Sequence, residues 1–188
     1  MPINSKTIKS KALKLGFDKI GISKAEPIIQ AKKNLEIWLS ENKNGDMNWI
    51  ESRKEERIDI HRYYKDAKSI ISVAVNYYTG DYKERFKSDF YFSNYAWGED
   101  YHLVLKKRLF KLLKWLKEKD NKINGIVCTD TSPVMEKVWA QKSGLGWIGK
   151  HTNLITKDYG SWVFLGEIIL NINLDYDSHF TEDLCGTC

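Results

Sequence analysis

Apolar positions along the 188-residue chain switch repeatedly between a helical and a strand-like period, and the switches mark its elements. Ser5 to Leu15 predicts a short amphipathic helix, and Lys19 to Ser23 a short strand. A second helix opens at Pro27, with Ile28, Ala31, Leu35, Trp38 and Leu39 recurring at helical spacing as core positions. Ser69 to Tyr77 is a β-branched run with too few polar interruptions for an edge strand, so it predicts a central strand with Asn76 and Tyr77 at its carboxyl end. Asp100 to Lys119 is the clearest helix, with Leu105, Leu109, Leu112, Leu113 and Leu116 on one face and Lys107, Lys111 and Lys114 opposite. Ile123 to Cys128 predicts a strand ending at Thr129-Asp130-Thr131, with Pro133 placed in the first turn of a following helix. Asn153 to Thr156 and Trp162 to Ile172 predict a hairpin across Lys157-Asp158-Tyr159-Gly160. Interspersed strands and helices place the chain in the α+β or mixed α/β class.

No repeat, low-complexity tract or linker divides the chain before about residue 178. Residues 1–178 are expected to form one domain and residues 179–188 to begin another. Apolar residues at 42% and charged residues at 29% predict folding throughout. The start has no apolar run of signal-peptide type, and nowhere do roughly 18 apolar residues follow one another, so a cytoplasmic protein with no membrane partner is expected. Thirty Lys and Arg against 25 Asp and Glu give +5, which admits a polyanionic partner without requiring one. The lysine face of the long helix is open to two readings, a solvated surface or a phosphate-contacting one.

Cys128 is isolated, while Cys185 and Cys188 form a terminal C-x-x-C, which is no secreted disulfide framework and points to metal or redox chemistry. Two thiolates do not fill the four-coordinate shell of zinc or an iron–sulfur cluster, so the chain reads as interrupted. Asp130 stands where a strand gives way to a helix, a place suited both to a helix cap and to a catalytic group. Glu136 is read as a first-turn acid. His102 follows aromatics and acids in Tyr95-Ala96-Trp97-Gly98-Glu99-Asp100-Tyr101 and serves either as ligand or acid, or as hydrogen-bonded structure. Gly144-Leu145-Gly146-Trp147-Ile148-Gly149-Lys150 suggests main chain lying close to something flat or bulky. It meets the spacing of a P-loop, but His151 stands in place of the magnesium-binding hydroxyl and the segment before it reads as helical.

Three stretches together, Asp130 to Ile155, Asn94 to Leu109 and the terminal CGTC, resemble the epoxyqueuosine reductase family, as do the Gly45 to Trp49 turn and the long central strand. The resemblance implies a nitroreductase-like cobalamin-binding domain with an antiparallel-rich sheet flanked by helices. It implies reduction of epoxyqueuosine in tRNA to queuosine, with cobalamin as cofactor and an external electron donor. Asp130 is implied as the catalytic acid, its carboxyl kept protonated by burial against the corrin and apolar neighbours. Tyr95, His102, Gly144, Gly146, Trp147, Gly149, Lys150 and Asn153 are implied to line the cobalamin cavity. Cys185 and Cys188 are implied ligands of a [4Fe-4S] cluster in an intact protein, and these residues alone are expected to assemble none. A flavin-binding nitroreductase-like oxidoreductase and a non-catalytic tRNA-binding module are the alternatives.

Overall fold

The structure, a computed structural model, describes residues 3–80 and 92–187. The chain runs α1 (Ser5–Lys14), β1 (Lys19–Lys24), α2 (Ile29–Ser40), α3 (Asn48–Ser52), α4 (Lys54–Ile58), α5 (Ile60–Tyr63), β2 (Ser69–Asn76) and a 3-10 turn at Asn94–Ala96. It continues through α6 (Tyr101–Lys119), β3 (Gly125–Cys128), α7 (Glu136–Lys142), β4 (Trp147–Ile148), β5 (Leu154–Ile155) and β6 (Val163–Leu170). Four strands form one sheet in the order β1-β2-β6-β3, every neighbouring pair antiparallel. The expected mixture of helices and an antiparallel sheet is therefore what folds.

Alternation along the strands sorts the core into two sides. Ile22, Ile71, Val73, Ile168 and Leu170 pack with Ile8 and Ala12 of α1 and with Leu105, Leu109, Leu112 and Leu116 of α6. Ile70, Ile169 and Cys128 face the other way, onto Ala25, Ile28, Ile60, Val134 and Trp139. The leucine face of α6 is buried as its spacing required, and at about 2 kcal/mol per buried leucine it anchors the helix against the sheet. Asp100 caps that helix by accepting the amide of His102. In α1 the cap is reciprocal, Asn4 and Thr7 each accepting from the other's amide.

Three local expectations are corrected. Ile28 is buried, but α2 buries none of its own residues, so Ala31, Leu35, Trp38 and Leu39 are half-covered surface positions. The helix after Asp130 begins at Glu136 rather than at Pro133, because residues 130–135 are taken up by a bend that starts with Asp130 at φ +40°. The predicted hairpin does not form. Thr156 and Gly160 exchange amide-to-carbonyl hydrogen bonds that close the loop locally, β5 pairs with β4, and β6 inserts between β2 and β3. Among the described residues no helix is long and apolar enough to cross a membrane.

Two glycines of the run lie close to the protein's own main chain. A Cβ on Gly146 would lie 2.0 Å from the Ile155 carbonyl oxygen, and one on Gly144 2.7 Å from that of Ser178. Gly146→Ala is expected to cost about 3 kcal/mol in chemical denaturation of the ligand-free chain, while Gly98→Ala, which meets nothing within 4 Å, leaves the midpoint in place; an unshifted Gly146→Ala midpoint would show that this packing is loose.

Candidate functional site at the Asp130 turn

At the end of the sheet where β2 and β3 stop and β6 starts, the chain makes a turn that an L-residue adopts reluctantly. Asp130 holds φ +40°, a left-handed conformation that costs a non-glycine residue on the order of 1 kcal/mol and persists where surroundings fix it. Two contacts do the fixing. The Asp130 amide donates to Glu136 Oε1 at 2.6 Å, and Asp130 Oδ2 lies 3.0 Å from His102 Nε2. The capping relation that the sequence suggested is thus reversed: the first residue of α7 reaches back to Asp130, and Met135 at the N-cap contributes no side-chain bond.

His102 is gripped from both sides, its Nδ1 lying 2.7 Å from Asp100 Oδ1. The Asp130 hydrogen bond, followed by that of Asp100, raises the His102 pKa above the ordinary histidine value despite partial desolvation. As an imidazolium it donates to both carboxylates. The Asp130 side chain is 58% exposed, so the chain's own atoms do not supply the burial expected around it. Burial falls on the groups behind the turn. Glu167, fully covered in the middle of β6, has both carboxyl oxygens unpaired among the described residues, and burial, reinforced by Glu136, pushes its pKa well above the carboxylate range. Glu136 is half-buried as a residue, but its carboxyl points inward, and desolvation, the largest influence on it, raises its pKa to about 7. Cys128, paired across the sheet with Glu167, is pushed up to about 12 by burial, so it is a thiol and no nucleophile.

A circuit of contacts leads away from Asp130 and returns to it. From His102 it passes by ring stacking to Tyr101 (4.0 Å between centroids) and Phe164 (4.2 Å), by a tilted contact to Tyr77 (4.4 Å), and then edge-on to Trp162 (5.7 Å). Ser161, next in the chain, bonds His151 Nε2 at 2.7 Å. The neighbouring Thr152 carbonyl accepts from Lys137 Nζ at 3.0 Å, and Lys137 adjoins Glu136. Tyr78, Trp162 and Tyr95 are 47%, 44% and 55% exposed, which leaves aromatic surface on this end of the molecule. A groove of about 750 Å³ lies at the opposite end of the sheet, between Lys117, Asp120, Ile123 and Leu174, and holds none of these groups.

The predicted site residues divide accordingly. His102 and Asp130 meet directly. Gly149 and Asn153 close the turn that carries His151 and Thr152, through a 2.9 Å main-chain hydrogen bond. Gly144 and Gly146 pack internally, as described above. Trp147 stacks on Phe180 and donates to Cys185 Sγ at 3.4 Å, while Lys150 Nζ donates to the Gly186 carbonyl, so these two face the terminal segment. Tyr95 stands exposed on the 3-10 turn, and Cys188 lies outside the described residues. Among the described residues no three His, Cys, Asp or Glu side chains are grouped to hold a metal ion. Sequence reasoning missed Glu167 altogether, although a lone acid in the apolar strand VFLGEIIL was a visible signal.

Residues 57–131 match the family described as "Epoxyqueuosine reductase QueG, DUF1730". An epoxyqueuosine reductase of Cellulophaga algicola is 42% identical over 185 residues, covering 98% of this chain and 60% of that one. The epoxyqueuosine reductase structure from Streptococcus thermophilus superposes with a TM-score of 0.86 at 30% identity, covering 99% of this chain and 50% of that one. A further epoxyqueuosine reductase structure, solved with a tRNA-Tyr epoxyqueuosine-modified stem loop, gives 0.82 at 28% identity, covering 97% and 49%. A reductive dehalogenase at 12% identity and a TM-score of 0.63, covering 97% and 22%, shares the fold. The chain thus spans about 60% of the length of the curated relatives it matches. By these similarities the chain belongs to the epoxyqueuosine reductase family.

Proposed function

We propose that this chain carries the cobalamin site and the proton donor of an epoxyqueuosine reductase whose substrate is tRNA bearing epoxyqueuosine. The observation that carries the reading is the Asp100–His102–Asp130 chain of hydrogen bonds at the end of an aromatic row. Reduction of the epoxide to an alkene takes up two electrons and two protons and releases the oxygen as water. An acid is needed where the C–O bond breaks, since an unprotonated alkoxide is a poor product to release from a site of low polarity.

Cobalamin suits the residues present. A flat, largely apolar macrocycle finds exposed aromatic surface at Tyr78, Tyr95 and Trp162, next to a polar end at Asp130 and His102. Tyr95, His102, Gly149 and Asn153 would hold it, while Gly144 and Gly146, packed on the protein's own main chain, and Trp147 and Lys150, engaged with the terminal segment, would support that wall from behind. When bound it supplies a strongly nucleophilic low-valent cobalt, the part of the chemistry no side chain provides. The chain's own residues do the rest. The proton that His102 Nε2 holds against the Asp130 carboxylate passes to that carboxyl, and Asp130 gives it to the epoxide oxygen. His102 keeps the Asp130 carboxyl aimed and, being hydrogen-bonded also to the 55%-exposed Asp100, offers a path by which a proton from solvent reaches Asp130 again. Covering Asp130 with the corrin would complete the burial that the polypeptide leaves undone.

The electrons come from outside the described residues. Cys185 is the single cysteine of the C-x-x-C pair described, and one thiolate does not hold a cluster, so no step of this scheme passes through one. Recognition of the tRNA is supported by the relative solved with a modified stem loop and by the basic face of α6 at Lys107, Lys111 and Lys114.

Two outcomes follow. In the intact parent enzyme, Asp130→Asn should bind cobalamin and tRNA normally while lowering kcat by about 10²–10⁴-fold; single-turnover kinetics at wild-type rate would remove Asp130 from the acid role. The raised His102 pKa adds a pH-dependent contribution to folding that is complete below the unfolded-state value and lost as pH rises through the higher folded-state value. Thermal melts across that window should therefore show wild-type stability falling with pH, and His102→Gln should abolish this part of the fall; an identical profile in the variant would mean that the bridge contributes nothing.

A further inference from the structure

We infer that Glu136 is a positioning residue for Asp130: it grips the main chain of the Asp130 turn, and it does so as the ionisable member of a carboxyl pair whose second member, Glu167, is sealed in the sheet behind it. The bearing of this device on catalysis rests on Asp130 being the acid, as proposed above.

The geometry stands on three observations. Asp130 is held at a positive φ, and the carboxyl of Glu136 is the partner of its amide, at 2.6 Å. Glu167 is 0% exposed, pairs in register with Cys128 two residues before Asp130, and has no hydrogen-bond partner for either carboxyl oxygen among the described residues. Thr129, between Cys128 and Asp130, is likewise covered and has an unpaired hydroxyl. An unpaired carboxylate so placed would lack every compensation, so Glu167 stays protonated and neutral. With Glu167 kept neutral by burial, the negative charge available to the two carboxyls resides on Glu136.

The other groups that face Glu136 fit this division. Asp130 disfavours its ionisation, whereas His102 and Lys137 favour it. Arg57, whose Nε is buried and unpaired among the described residues, has its pKa lowered by burial and by Arg53, with Glu56 and then Glu136 opposing that shift. Tyr101 and Cys128, both raised to about 12, are neutral. A carboxylate accepts an amide hydrogen bond more strongly than a neutral carboxyl group does. Ionisation of Glu136 therefore tightens the Asp130 turn and protonation loosens it, with the change falling near neutral pH.

The test needs neither cofactor nor tRNA. In isotope-labelled chain, the Asp130 amide proton should move downfield in one step with a midpoint near 7, and the Glu136 side-chain carboxyl carbon should titrate with the same midpoint. Glu136→Gln should abolish the Asp130 step, and Glu167→Gln should leave it in place. Different midpoints for the two wild-type resonances, persistence of the step in Glu136→Gln, or its loss in a folded Glu167→Gln would each overturn the proposal. The wild-type comparison stands even if a variant fails to fold. Because this readout does not involve turnover, its failure is separable from a failure of the acid assignment, which the Asp130→Asn kinetics address on their own.

Discussion

Through eight residue pairs, from Ser69↔Leu170 to Asn76↔Val163, β2 and β6 are locked antiparallel, and both the core and the site hang from this pairing. Side chains alternate across a strand, so a slip of one residue would carry Ile71 and Ile168 away from the α1 and α6 side and expose them. The same register fixes where β3 joins β6, with Cys128 opposite Glu167. Asp130 is thereby delivered to the carboxyl end of β3, next to the start of α6, where Asp100 and His102 wait. The aromatic row follows from the pairing as well, because Tyr77 and Phe164 come from the two locked strands.

A cost is built into this arrangement. Sealing a carboxyl in the middle of β6 without a partner is unfavourable, and so is a non-glycine residue at positive φ. Neither helps the fold, and both converge on one turn. Strain and buried polarity concentrated where a reactive group is presented are what a site under functional demand shows, since a fold selected for stability alone would place an apolar residue at Glu167. The bend that delays α7 to Glu136 belongs to the same compromise: it gives up three residues of helix and lets a first-turn acid reach back to the Asp130 amide.

Much of this was legible in the sequence where periodicity is long. The leucine face of α6 and the β-branched run of β2 need little context, and Asp130 announced itself by standing at a strand end before a proline. The hairpin expected between Asn153 and Ile172 failed because proximity along the chain lost to a longer partner: β6 gains an apolar interface with β2 that the two-residue β5 could not match. The apolar spacing of α2 did not by itself bury the helix, which lies on the surface with Ile37 exposed. His102 was legible as a candidate but not as the bridge between two aspartates, for a hydrogen bond across 28 residues depends on tertiary placement. Glu167 was overlooked since its strand was read for its apolar positions.

An acid role for Asp130 requires that these residues form a cobalamin site beside it. Anaerobic titration of the chain with cob(II)alamin, followed by its visible and electron paramagnetic resonance spectra, measures that directly. A saturable spectral change, retained in Asp130→Asn, is the predicted result. Spectra that remain those of free cob(II)alamin at every protein concentration would contradict the placement of the cofactor site within these residues.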